Sequence, residues 1–270
     1  MYMETSVKRN VRRSKKVFEK GEEDYYTHNS PIHQSIAVSA SPREKLPESK
    51  LTRPKNVRQE KYIELLKNHA CRILLATGPA GTGKTVFACE YGLWGLLKGH
   101  YNKLIFTRPL VSVDEEFGFL PGTMEEKMAP WIRPIYDVLV QYISQKELDM
   151  MMEEKIIEII PLGFMRGRTF KHSWIVADEM QNSTHSQTKM LLTRIGQGSK
   201  MVITGDLQQC DYSYYNGLSD FLHLLHKTTN TTTTEEEKEV QKKIVHFEFQ
   251  NGDIQRDPVV AEILDIYKGI

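Results

Sequence analysis

The sequence is poor in cysteine, in long apolar runs and in net charge. Its 3 cysteines, Cys71, Cys89 and Cys210, are far apart and form no C-x-x-C pair. Neither a disulfide framework nor a zinc ribbon is built from such spacing, and buried reduced thiols are expected. No run of about 18 apolar residues is present, and Met1 to Lys20 is charged where a secretory signal needs an apolar centre. The expectation is a cytoplasmic protein with no membrane association, in which the sequons at Asn182 and Asn230 are chance matches. With 36 Lys/Arg against 35 Asp/Glu the formal charge is +1, and 40% hydrophobic residues with 26% charged exclude collagen-like and globally disordered classes.

That neutrality has two parts. Residues 1–58 hold 13 Lys/Arg and 7 Asp/Glu, leaving 23 and 28 for residues 59–270, so a +6 end precedes a −5 body. The basic end has little hydrophobic periodicity, and residues 1–55 read as a mobile tail. Its Lys8, Arg9, Arg12, Arg13, Lys15, Lys16 block suits either nucleic acid, an acidic surface or simple solubility.

Residues 56–270 read as one domain. Apolar runs at Arg72–Ala76, Lys103–Thr107, Ile156–Ile160, Trp174–Ala177, Lys200–Thr204 and Lys243–Phe249 predict short strands. Helical spacing lies over Thr85–Lys98, Met124–Ser144, Thr184–Ile195, Gly217–His226 and Pro258–Tyr267. Near-continuous apolar strands alternating with helices predict an α/β fold with a mostly parallel sheet covered on both faces. The tract Thr228–Glu239 reads as a polar surface loop.

The first strand runs into Gly78, Pro79, Ala80, Gly81, Thr82, Gly83, Lys84 and Thr85, a match to G-x-x-x-x-G-K-[ST] that opens a helix. Glycines let the backbone curl so that N–H groups face phosphate oxygens, with the helix N-terminus adding positive potential. Lys84 then reaches the β/γ-phosphates and Thr85 puts its hydroxyl on Mg²⁺. Asp178 ends an apolar strand, where P-loop proteins hold Mg²⁺, and Glu179 is placed to orient and deprotonate water. The third strand end, Thr204 to Gln209, offers Asp206 and Gln208 as γ-phosphate sensors, since ligands gather at the carboxyl ends of parallel strands.

These residues, with TRP at 107–109, GFLPG at 118–122, PLGFMRGRT at 161–169, DEMQN at 178–182, LTRIG at 192–196 and ITGD at 203–206, resemble the PhoH family of P-loop ATPases from about Asn56 onward. The resemblance implies a P-loop NTPase of one RecA-like domain, similar to the first such domain of superfamily 1 helicases. It implies ATP and Mg²⁺ as cofactors, RNA or single-stranded DNA as partner, and a homo-oligomer, a hexamer by analogy. Gln59 looks like the glutamine that reads adenine; the plainer reading is an exposed glutamine ahead of a helix. A single domain leaves the γ-phosphate face open, and an arginine supplied by a neighbour raises such rates by about 10³–10⁵. Arg256 is the preferred donor, with Arg166, Arg168 and Arg194 as other candidates. Arg108, Arg166 and Arg168 are also candidates for nucleic-acid contact, and Phe117, Phe119 and Tyr136 for base stacking or, alternatively, for the core. Two departures limit the analogy: residues 1–58 are too short for the ribonuclease domain some members carry, and there is no room for a second RecA-like domain. An ATP-dependent oligomerisation switch is the competing function, and a small-molecule kinase a more distant one.

Overall fold

The computed structural model describes residues 46–109, 124–209, 216–231 and 243–255, together with Val259 and Ile266; over 124–131 and 229–231 it describes the backbone alone. Six strands form one sheet: β1 (Ile73–Thr77), β2 (Lys103–Arg108), β3 (Ile157–Pro161), β4 (Ser173–Ala177), β5 (Lys200–Gly205) and β6 (Ile244–Glu248). Their order is β3-β2-β4-β5-β1-β6, and every neighbouring pair is parallel. All six expected strands are found, each within a residue or two of the expected ends.

Composition explains the order. The strands β1 (ILLAT), β4 (SWIVA) and β5 (KMVITG) are buried at every position, as central parallel strands covered on both faces must be. The two edges carry polar side chains instead. Glu158 of β3 pairs with Lys103 at 2.7 Å and Arg168 at 2.8 Å. His246 lies in β6, which is only half-buried.

The helices are α1 (Val57–Lys67), α2 (Lys84–Leu97), α3 (Met124–Leu139), α4 (Gln145–Glu153), α5 (His185–Leu192) and α6 (Gly217–Thr231). Alternation along the strands splits the core. Leu75, Ile105, Ile175, Met201 and Ile203 pack with Leu191 of α5 and Leu218 and Leu222 of α6. Strand neighbours such as Trp174 point the other way, where its indole N–H donates to Ala88 O of α2 at 3.1 Å. Cys71 and Cys89 are buried free thiols, and burial raises both above the usual thiol range.

Several elements differ from the sequence reading. The stretch Met124–Ser144 is not one helix: α3 stops at Leu139, and Ser144 caps α4 through a reciprocal pair with Glu147. Helix α6 continues past His226 into the tract read as a loop, with the Thr228 hydroxyl satisfied on Leu224 O at 2.9 Å. Helix α1 begins at Val57, so that Gln59 lies inside it and not ahead of it. Asn56 caps it by accepting from Gln59 N, and Gln59, Tyr62, Ile63 and Leu66 form its buried stripe. Of the helix expected over Pro258–Tyr267, only Val259 and Ile266 are described, and both are helical.

Residues 46–55 were counted with the tail, yet Leu46 and Leu51 are buried. Thr52 donates its backbone N–H (3.1 Å) and hydroxyl (2.6 Å) to the Glu90 carboxylate of α2. Among the described residues, no helix is long and apolar enough to cross a membrane.

Candidate nucleotide site

The loop after β1 depends on glycine at two points. Gly78 has φ 126°, and a Cβ there would lie 2.4 Å from Phe249 O. Gly83 has φ 89°, caps α2 in the left-handed region, and a Cβ there would lie 2.8 Å from the Phe87 ring. Both positions combine a conformation and a clearance that only glycine supplies. The loop is fastened from all sides: Gly78 N–H to Gly205 O (3.2 Å), Gln255 N–H to Gly81 O (2.9 Å), and Tyr62 O–H to Lys84 O (3.0 Å). Burial holds the Tyr62 phenol well above its ordinary pKa, so it stays a donor.

Lys84 is buried, and its ammonium donates to Gly78 O and Pro79 O, both at 2.7 Å, and to Thr82 Oγ1 at 3.3 Å. It therefore lies over the loop that its motif assigns to phosphate. Thr85, one residue on, donates its hydroxyl to Asp178 Oδ1 at 2.7 Å. Thr204, at the end of β5, donates to the same Oδ1. The chain order makes this possible, because β5 lies between β1 and β4 and its end falls between the loop and Asp178.

A hydroxyl and a carboxylate within hydrogen-bond distance, beside a lysine and a glycine-rich turn, are hard oxygen donors that suit Mg²⁺. Few protein ligands are needed, since Mg²⁺ in such sites keeps waters and phosphate oxygens. Thr85 and Asp178 are the residues that would hold it.

Glu179 follows in the left-handed region at φ 52°, uncommon for a residue with a Cβ. Its Oε2 accepts from Gln181 Nε2 at 2.5 Å. The other end of that amide, Oε1, accepts from Asp206 N at 3.1 Å. Asp206 in turn is buried and accepts from Ala80 N of the glycine-rich loop at 3.2 Å and from Gln208 N at 3.0 Å. One chain of hydrogen bonds thus runs from Glu179 through Gln181 and Asp206 to Ala80. Gln208 itself is exposed. Gln181 and Thr204 went unassigned in the sequence. Both sit within recognised strings, but nothing in a string shows which side chain turns inward.

Gln59 is 3% exposed and lies against the loop, donating to Thr82 O at 3.0 Å and accepting from Lys55 N at 2.7 Å. It is therefore not an exposed glutamine, and its amide is engaged with backbone on both sides. Arg108, at the end of β2, lines a small cavity with Thr85, Thr107, Ile135 and Asp178. Thr107 Oγ1 is buried there without a hydrogen-bond partner among the described residues.

The remaining arginines are elsewhere. Arg168 pairs with Glu158 and lies over the Phe170 ring, 4.7 Å from its centroid. Burial alone would raise the Glu158 carboxyl, but Lys103 and Arg168 outweigh it and hold the pKa below the ordinary value. Arg194 donates to Met190 O, Arg168 O and Thr193 Oγ1. Phe170 N–H bonds Arg194 O just before β4 begins, whereas Asp178 follows its end, so these two arginines are not at the phosphate end of their own chain. Arg166 is exposed. Tyr136 donates to Met152 Sδ at 2.7 Å, a packing role between α3 and α4. Arg256, Phe117 and Phe119 lie outside the described residues.

A family model described as PhoH-like protein matches residues 51–268. A PhoH-like protein of Synechocystis is 38% identical over 221 residues, covering 81% of this chain and 62% of its own length. One of Bacillus subtilis is 37% identical over 255 residues, covering 93% and 72%. Protein PhoH of Escherichia coli K12 is 39% identical over 180 residues, covering 65% and 51%. The chain thus spans between 51% and 72% of these relatives. Among solved structures, a Sulfolobus solfataricus SWI2/SNF2 ATPase core in complex with dsDNA aligns with a TM-score of 0.44 at 13% identity, covering 78% of this chain and 49% of that one.

Proposed function

The chain belongs to the PhoH-like family, and from that premise we propose that it is a Mg²⁺-dependent ATPase coupled, as a homo-oligomer, to RNA or single-stranded DNA. The observation that carries the hydrolytic reading is the Thr85–Asp178 pair beside Lys84, followed at once by Glu179. When ATP binds, loop N–H groups and the α2 N-terminus receive the phosphates. Lys84 exchanges the Gly78 and Pro79 carbonyls for phosphate oxygens. Thr85 and Asp178 would hold Mg²⁺, which would supply charge neutralisation on the β- and γ-oxygens. Glu179 accepts the proton of the attacking water, whose oxygen bonds to the γ-phosphorus as the bond to ADP breaks. The hydrogen bond from Gln181 to Oε2 of the half-buried Glu179 orients the carboxylate for that step.

Coupling to a single strand rests on Arg108, which lines the same cavity as Asp178 and can report occupancy of one site to the other. Assembly rests on the arginines: Arg168 and Arg194 do not serve their own phosphate site, and a positive charge for the transition state is supplied by a neighbouring copy, with Arg256 the preferred donor. The partner class and the hexamer are inferences from the family resemblance, and the cytoplasmic location from the cysteine pattern and the lack of long apolar runs.

One assay tests the whole reading: ATP turnover with and without single-stranded RNA, single-stranded DNA and duplex, with the oligomer sized in parallel. Glu179→Gln should lower kcat by about 10²–10⁴-fold while ATP still binds. Turnover unchanged in that variant would remove Glu179 from the mechanism. The hydrogen bond from Gln181 to Glu179 favours a second reading, an ATP-dependent switch whose base is held back. Slow turnover indifferent to every nucleic acid, with ATP-driven assembly, would select it.

A further inference from the structure

Away from the nucleotide site, two histidines meet where α6 crosses the edge strand β6. His226 Nε2 lies 3.2 Å from His246 Nδ1, with ring centroids 5.2 Å apart. The other nitrogen of His246, Nε2, lies 2.8 Å from Thr77 Oγ1, the residue that leads into Gly78. We propose that His226 and His246 form a binding site for a divalent transition-metal ion such as Zn²⁺, completed by His223 and Glu248.

The spacing is that of metal ligands. Two imidazole nitrogens at about 2.0–2.1 Å from a tetrahedral Zn²⁺ stand about 3.3 Å apart. The sequence supplies a second ligand on each element at chelating intervals: His223 is three residues before His226 on α6, hence on the same face of the helix. Glu248 is two residues after His246, hence on the same face of β6. The opposite face of that strand is committed to packing, Phe247 stacking on Tyr62 at 5.8 Å. Both added groups are exposed, as is His226, and free to rotate. As the side chains stand, no three potential ligands converge among the described residues, so binding requires that rotation.

The surroundings of His246 fit a ligand. A metal-bound histidine characteristically engages its other ring nitrogen in a hydrogen bond that fixes the tautomer, and Thr77 occupies that position. Burial, followed by the neighbouring His226, lowers the pKa of His246 against a smaller opposing effect of Glu248, so its imidazole is neutral near pH 7 and has a lone pair to give. Imidazole and carboxylate oxygen suit Zn²⁺ and its neighbours in the series rather than Mg²⁺. Bound there, the ion would pin α6 to β6 and fix the ring that holds Thr77, which pairs with Glu248 in the sheet.

The test is calorimetric titration of Zn²⁺ into the chelator-stripped full chain in Mg²⁺-containing buffer, without nucleotide. One ion per chain is expected, with a rise in Tm. His226→Ala, an exposed position outside the nucleotide site, should weaken binding at least tenfold and abolish the Tm rise. Lys84→Ala should bind Zn²⁺ as the unaltered chain does. No binding by the unaltered chain, equal affinity in His226→Ala, or loss in Lys84→Ala would each overturn the assignment.

Discussion

The side chain of Gln181 is 2% exposed, and its amide meets both the Glu179 carboxylate and the Asp206 backbone, so its loss would be felt at two ends of the site. Gln181→Ala should leave KM for ATP within about twofold and lower kcat by about 10–100-fold, because the base loses its orientation. Steady-state kinetics beside a melting curve check this. An unchanged kcat, or a loss explained wholly by unfolding, would reduce Gln181 to packing. Residues at this scale were unequally legible. Lys84, Thr85, Asp178 and Glu179 announce themselves because phosphate and Mg²⁺ chemistry fixes both residue type and spacing. Gln181, Thr204 and the histidine pair do not, because their roles come from which strands become neighbours. Gln59 was found only through resemblance, and its burial follows from a helix that its own stripe of Tyr62, Ile63 and Leu66 could have revealed.

Elements follow the apolar pattern closely where they are buried. All six strands were legible, since a parallel sheet covered on both faces writes itself as continuous apolar runs. The helix boundaries were less so: Ser144 and Glu147 are a capping box in plain sight, overlooked within a longer amphipathic stretch. One close contact between elements is that of α2 on β4. A Cβ at Gly92 would fall 2.6 Å from the Trp174 ring and 2.8 Å from Leu104 Cδ1. Here glycine serves proximity rather than φ. Gly92→Ala should therefore destabilise by about 1–3 kcal/mol despite the better helix propensity of alanine. Chemical denaturation measures it, and a gain in stability would mean that α2 can shift outward freely.

For the whole molecule, stability in alkali is set by buried lysine, cysteine and tyrosine side chains. Lys200 is 1% exposed, its ammonium held by Leu65 O at 2.6 Å and Asn68 O at 2.9 Å near the end of α1. Burial brings its pKa down to about 8. In the unfolded chain the same lysine titrates near 10.4, so between these values the unfolded state binds the extra proton. Lys200 by itself would raise stability from about pH 8 to about pH 10, but the Cys71 and Cys89 thiols, raised by burial, oppose it above about pH 8.5, because the unfolded chain sheds those protons first. Above about pH 10 the tyrosines act in the same sense as the thiols: burial raises Tyr62 and Tyr91 and pushes Tyr101 up to about 12, and the unfolded chain sheds those protons first. Denaturant midpoints across this range test the argument, and Lys200→Met should steepen the loss of stability between about pH 8 and about pH 10.

The strand order also bears on when the protein becomes itself during synthesis. Strand β1, emerging early, pairs only with β5 and β6, whose partners for Leu74 are Val202 and Val245. More than half the chain must be translated before the strand carrying Gly78 to Thr85 gains either neighbour. Such distant pairings are slow to close. A nascent chain halted short of β5 would expose a nucleotide motif with no sheet to hold it, so ribosome-bound chains should begin to retain ATP only after Glu248 has cleared the exit tunnel.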